Sequence, residues 1–174
     1  MPDRIALIRA VNVGGAKLPM AQLREIASEL GATEVSTYIA SGNLLYTPPG
    51  VSEDFDRALE KAIETRFGYY REVISRTPAQ LREALAAHPF EVANPKFSYV
   101  YALTGTPTVK AVNEFESREF PTEVVRVIGD DLHIRYNAGA GQSKLTATVI
   151  ARILGVQGTG RNLNTVAKLI DLAS

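Results

Sequence analysis

An α+β fold, built from two β-α-β-β-α-β halves and a C-terminal helix, is what this sequence of 174 residues predicts. Three observations carry that reading. Apolar runs of strand length alternate with stretches whose apolar residues recur at helical spacing. Breaks rich in glycine and proline fall between them. The element order found before the two prolines of "HPFEVANPK" is found again after them, as an internal duplication with little identity between the copies.

The first half begins with "RIALIRAVNV". It is apolar at Ile5, Leu7, Val11 and Val13, with Ala6 and Ile8 between, and apolar character on both faces marks an interior strand. Gly14 and Gly15 then free the backbone. Pro19 fits the first turn of a helix whose stripe is Met20, Leu23, Ile26, Ala27 and Leu30, with Gly31 at a left-handed stop. "EVSTYI" and "NLLYT" are strands joined by "ASGN", where Ser41 and Gly42 suit a tight turn. Ser52 is expected to cap the next helix, with Glu53 and Asp54 in its first turn, Phe55, Leu59 and Ile63 inward, and Gly68 at its end. "YYREVIS" closes the half as a strand. This is the split βαβ, or ferredoxin-like, order.

Thr77, Pro78 and Gln80 form a capping box with proline at the first helical position, so a connector helix follows, anchored by Leu81 and Leu85. The boundaries expected are 1–76 for the first half, 77–96 for the connector helix and loop, and 97–174 for the second half with its C-terminal helix. In the second half "FSYVYAL" is a strand, and Thr106-Pro107 opens a helix carrying Val109, Val112 and Phe115. "EVVRVI" and "DLHIRY" flank the hairpin signal Gly129-Asp130. A helix with Leu145, Val149 and Ile153 stops at Gly155, a short extended piece runs from Val156 to Thr159, and Leu163, Val166, Leu169 and Ile170 mark the last helix.

Composition narrows the function classes. Lys and Arg total 19, as do Asp and Glu, and this balance argues against a nucleic-acid partner, whose phosphates require a cationic surface. There is no cysteine, which excludes disulfides and thiolate ligands. Two histidines, His88 and His133, are a thin supply for a metal site. No apolar run approaches the ~18 residues of a membrane span, and no export signal is visible, so the expectation is a cytoplasmic protein with no membrane partner.

The motifs themselves resemble a known family. "IALIRAVNVGGAKLPMAQLREIASELGATEVSTYIASGNLLY" is similar to the opening of domain-of-unknown-function family 1697, through Arg9, Asn12, Gly14, Gly15, Thr37, Tyr38, Ser41, Gly42 and Asn43. Gly141, Ser143, Lys144, Thr159, Arg161, Asn162, Asn164 and Thr165 fit its C-terminal pattern. Ala10 stands where the family often has Gly, and Leu163 where it often has Trp. The resemblance implies an α+β protein of two ferredoxin-like halves and no settled chemistry, cofactor or catalytic residue.

Four polar segments are candidate sites. In "RAVNVGG", Arg9 and Asn12 end a strand, and Gly14 and Gly15 offer backbone N–H groups to an anion; a turn with Asn12 bonding local backbone explains the same letters. In "ASGN", Ser41 and Asn43 face a pocket or simply make the hairpin. In "AGAGQSK", Ser143 and Lys144 before a helix suggest a phosphate site, although the pattern is not a P-loop, and Ser143 as an N-cap is the plainer account. In "TGRNLNT", Asn162 caps the last helix, which leaves Arg161 either to fork onto a carboxylate of the other half or to hold an anion.

Acid–base catalysis finds no support. Glu25, Glu29, Asp56, Glu60, Glu64, Glu83 and Glu114 fall on helix faces expected to be exposed, and neither histidine has a visible partner. Strand tyrosines (Tyr38, Tyr46, Tyr69, Tyr70, Tyr99, Tyr101) raise single-stranded RNA binding, without the recognition signature that would accompany it. The leading expectation is a small anionic ligand, a nucleotide or phosphate ester, held at helix N-termini by Arg9, Asn12, Gly14, Gly15, Ser41, Asn43, Ser143, Lys144, Arg161 and Asn162. The alternatives are a non-catalytic interaction or regulatory module and an RNA-binding sheet. Oligomeric state is not legible.

Overall fold

The computed structural model describes residues 1–137 and 139–174. Among them are two four-stranded antiparallel sheets and six helices, a mixed α+β architecture. The chain divides into two compact units, Met1–Arg82 with Lys168–Ser174, and Glu83–Ala167.

In the first unit the order is β1 (Arg4–Ile8), α1 (Met20–Glu29), β2 (Thr33–Thr37), β3 (Asn43–Thr47), α2 (Ser52–Phe67) and β4 (Val73–Arg76), and the strands lie side by side as β2-β3-β1-β4. Ala6 and Ile8 of β1, with Leu44 and Tyr46 of β3, pack under Leu23, Ile26 and Ala27 of α1 and Phe55, Leu59 and Ile63 of α2. Ile5, Leu7 and Leu45, on the other face, are buried as well, in keeping with the two-sided apolar pattern of β1. Gly31 (φ +95°) takes the chain out of α1 in a conformation that a side chain disfavours. Ser52 is the first residue of α2 and not its cap. Val51 occupies the cap position without a side-chain acceptor, so the first turn relies on Glu53 and Asp54 against the helix dipole.

Helix α3 (Pro78–Ala87) opens with the reciprocal capping box: Thr77 N–H donates to Gln80 Oε1 (2.9 Å) and Gln80 N–H to Thr77 Oγ1 (3.1 Å). The division between units falls inside this helix.

The second unit runs β5 (Ser98–Leu103), α4 (Val109–Ser117), β6 (Glu123–Ile128), β7 (Asp131–Tyr136), α5 (Ala147–Leu154) and β8 (Gly158–Asn162), with strand order β6-β7-β5-β8. Leu103, Phe115, Leu132, Ile134, Tyr136, Leu145, Ile150 and Leu154 form its core. Two helix starts differ from the sequence reading. Thr108 rather than Thr106 caps α4, and the Thr106 hydroxyl donates to Asp130. Thr146 rather than Ser143 caps α5, accepting from Val149 N–H.

The last strand also differs. It starts two residues later than expected and continues through Arg161 and Asn162. Its glycines hid the continuation, and packing explains them. A Cβ on Gly158 would lie 2.8 Å from Leu103 Cδ2, and one on Gly160 only 2.6 Å from the Tyr101 ring. The side chains of β5 occupy the space that β8 leaves empty. Helix α6 (Leu163–Leu172) follows, and Asn162 caps it by accepting from Thr165 N–H at 2.9 Å.

Candidate functional site

Six of the ten candidate residues meet at one end of the first sheet. Strand β1 finishes there, with Ile8 N–H donating to Gly42 O (2.9 Å) and Arg9 N–H to Glu72 O (3.0 Å), so the segments after β1, between β2 and β3, and before β4 converge. Gly42 is required at this junction. It adopts φ +87°, and a Cβ would sit 2.7 Å from Val11.

The loop from residue 9 to 18 is tightly held. Asn12 donates its amide to Leu18 O (3.0 Å) and Ala40 O (2.5 Å) and accepts from Leu18 N–H (2.9 Å). Its polar atoms therefore serve the loop, as the turn reading of this motif expects. Arg71 donates Nε–H to Ala10 O (3.1 Å) and lies 5.1 Å from the centre of the Tyr69 ring, whose hydroxyl donates to Lys17 O (2.7 Å). Arg9 pairs with Glu72 at 3.0 Å. Asn43 is fully buried and donates to Tyr38 O and Ser41 Oγ, both at 2.9 Å.

What remains open is the tip. Ala10 (φ +53°), Asn12 (+57°) and Gly14 (+60°) are left-handed while Val11 and Val13 between them are not, and Gly15 (+92°) extends the series. Alternation of this kind turns successive N–H groups toward one concavity, the geometry called a nest. Gly14 and Gly15 are exposed, with nothing near their Cα hydrogens, and within the described residues no hydrogen bond uses the N–H of Val13, Gly14 or Gly15. Lys17 is exposed in the same loop, Arg71 holds Ala10 O, and Arg9 is paired with Glu72.

The other four candidates belong to the second unit. Ser143 donates its hydroxyl to Glu123 and accepts from Leu145 N–H (3.0 Å). Burial alone would raise the Glu123 carboxyl; donors from Ser143 and Thr122 outweigh it and hold it below its ordinary value. Lys144 is exposed, and two residues separate it from the start of α5. Arg161 is not at a helix start: it is buried in β8 opposite Val100, and donates Nη1–H to Thr159 Oγ1 (2.7 Å) and Gly160 O (2.9 Å). Burial lowers its pKa to about 10, which leaves it charged at neutral pH. Ser143 and Asn162 lie where β5 begins, because Glu123 pairs with Tyr136 and Tyr99 with Asn162. The first-unit set lies where the corresponding strand β1 ends, so the two sets are not equivalent positions of one motif.

Three features escaped the sequence reading. Asp56 and Glu60 are buried, not on an exposed face. Tyr46 and Ser75 both donate to Asp56, and Val73 N–H donates to Glu60 (2.8 Å). Burial raises the Asp56 carboxyl above its usual range in spite of those donors. The spacing Phe55, Leu59, Ile63 gives a stripe that Asp56 and Glu60 adjoin, a signal that was available. Second, the histidines partner each other: Nδ1 of His88 and Nδ1 of His133 are 2.9 Å apart. Third, tyrosines of the strands turn to the helix-covered side. Tyr46 belongs to the first core, Tyr136 to the second, and Tyr99 and Tyr101 pack against that second core, with Tyr101 and Tyr136 hydroxyls 3.0 Å apart. No group of three or more metal-ligating side chains is present among the described residues, and no helix there is long and apolar enough to cross a membrane.

The family model described as "Protein of unknown function (DUF1697)" matches residues 1–133. No curated protein matches the chain. Among solved structures, the conserved bacterial protein SP0830 from Streptococcus pneumoniae is similar, with a TM-score of 0.73, 22% identity and 99% of each chain covered, a likeness of fold.

Proposed function

From the premise that the chain belongs to the DUF1697 family of unknown function, we propose that it binds a small anionic ligand, a nucleotide or phosphate ester, at the tip of the loop 10–15. The observation that carries the reading is the alternation of left-handed residues at Ala10, Asn12 and Gly14, in a loop where the N–H groups of Val13, Gly14 and Gly15 have no acceptor among the described residues. Lys17, Arg71 and Arg9 supply an excess of positive charge around it. The loop is pre-organised by Asn12, Arg71 and Tyr69, so little ordering accompanies binding. The same reading takes the two units as copies of one ferredoxin-like element, 1–76 and 97–174 about a connector at 77–96. Its support is their shared element order and shared strand order.

A thermal-shift screen against nucleotides, sugar phosphates and polyphosphate tests the proposal. A ligand at 100 times its dissociation constant adds about 2.7 kcal/mol, a rise of roughly 5–10 °C for a chain of this size. Lys17→Glu and Gly14→Ala should abolish that rise while the protein stays folded; Arg161→Ala reports whether the second unit contributes. No rise with any anion overturns the reading in favour of a non-catalytic interaction module. The bonds that Arg9, Asn12, Asn43, Ser143 and Asn162 make inside their own units give these side chains a structural role that needs no ligand.

A further inference from the structure

A cavity of about 250 Å³ opens in the second unit, at the end of the sheet where β5 begins and β7 finishes. None of the ten sequence candidates lines it. Ser98 and Arg135 stand directly opposite each other on the β5–β7 ladder, so their side chains leave the sheet from the same face, and both line the cavity. Ser98 is 1% exposed and its hydroxyl has no hydrogen-bond partner among the described residues. Buried hydroxyls are normally satisfied, so an orphan at a cavity wall asks for an occupant. The side chain of Arg135, half-buried beside it, makes neither ion pair nor hydrogen bond among the described residues.

The remaining wall completes a chemical description. Asn94 accepts from Lys96 N–H through its side-chain oxygen (3.0 Å), which leaves its amide hydrogens for the cavity. Phe97 gives an apolar surface, and Glu91 adds one negative charge to the lining. The volume lies just below the ~300–1,000 Å³ range of drug-sized ligands.

We propose that this cavity binds a small monocarboxylate. The guanidinium of Arg135 offers the planar fork that a carboxylate matches with two parallel hydrogen bonds. The Ser98 hydroxyl donates to one of the same oxygens, the Asn94 amide closes the polar side, and the body of the acid lies on Phe97. A phosphate dianion suits the site less well, because a single guanidinium faces it and the carboxylate of Glu91 repels it. The site shares no residue with the loop 10–15 and stands or falls independently of it.

Amide correlation spectra of the whole chain during titration with benzoate, butyrate and inorganic phosphate test the proposal. Millimolar benzoate or butyrate should shift the amides of residues 91–94, 96–98 and 135–137. Arg135→Gln should weaken this response roughly tenfold or more. Ser98→Ala should weaken it several-fold and, because it removes an orphan hydroxyl from the interior, should raise the melting point of the ligand-free protein. Gly14→Ala should leave the response unchanged. The absence of shifts in these segments with either acid overturns the proposal. So does phosphate acting there as strongly as the acids, or a folded Ser98→Ala protein that responds like the wild type.

Discussion

Acidification should destabilise this protein through one pair of side chains. His133 is 1% exposed, in the middle of β7, and shares a hydrogen bond with His88; the Nε2 atoms of both rings are buried without partners among the described residues. A proton added to the pair therefore creates a buried cation with an unsatisfied donor. Burial, and then the neighbouring His88, lower the His133 pKa from 6.5 to about 4, and burial lowers that of His88. The direction follows from linkage. Between those two values the unfolded chain binds a proton that the folded chain does not, so stability is full above pH ~6.5 and is lost as pH falls toward ~4. The whole shift, about 2.5 units at 1.36 kcal/mol each, amounts to roughly 3 kcal/mol, of which about 2 kcal/mol is already lost at pH ~5. Urea unfolding at pH ~7.5 and ~5 measures it, with His88→Leu/His133→Leu as reference. These are the only two histidines, so other titrations cancel in the comparison. The wild type should lose about 2 kcal/mol more than the double variant across that interval. Equal losses, or a His133 ring proton titrating near pH 6.5, would refute the reasoning.

Three other perturbations follow from geometry already described. Ala10→Gly relieves a left-handed alanine (φ +53°) and should stabilise the protein by up to about 1 kcal/mol in chemical denaturation, whereas a loss of stability would mean the methyl group is packed. Gly160→Ala places a methyl 2.6 Å from the Tyr101 ring and should cost about 1–3 kcal/mol, read as a lower melting point. Thr77→Ala removes one arm of the capping box of α3 and should cost about 1 kcal/mol; no change in urea midpoint would show the cap to be idle.

Element order and type were legible because they are written in local chemistry. The period of Leu23, Ile26 and Ala27, the Gly129-Asp130 turn and the Thr77–Gln80 box each depend on residues a few positions apart. The family's frequent glycine at position 10 also has a local cause, since the backbone there is left-handed. What was illegible depends on distant residues. The continuation of β8 through Gly160, Arg161 and Asn162 could not be read because the ring that fills the space beside Gly160 belongs to Tyr101, more than fifty positions earlier. The His88–His133 pair spans forty-five positions and crosses from the connector to a strand. Ser143 looked like a helix cap because the hydroxyl that caps α5 lies three residues on, and its actual partner, Glu123, is twenty positions away. Of the candidate residues, the six in the first unit come together because β1, β3 and β4 are neighbours in the sheet, an arrangement the local motifs do not carry. That Asn12 and Arg9 are engaged by Leu18, Ala40 and Glu72 needed coordinates.

The contact between Gly160 and Tyr101 also bears on how such a chain can drift. A side chain on β8 and a large ring on β5 exclude each other, so neither position is free to vary alone. Enlarging one becomes neutral only when the other shrinks, and either single step passes through a less stable intermediate. Relatives of this protein should therefore exchange the two sites together, a bulky residue on β8 accompanying a small one on β5. The covarying pair, rather than an invariant glycine, would be the lasting mark of this strand.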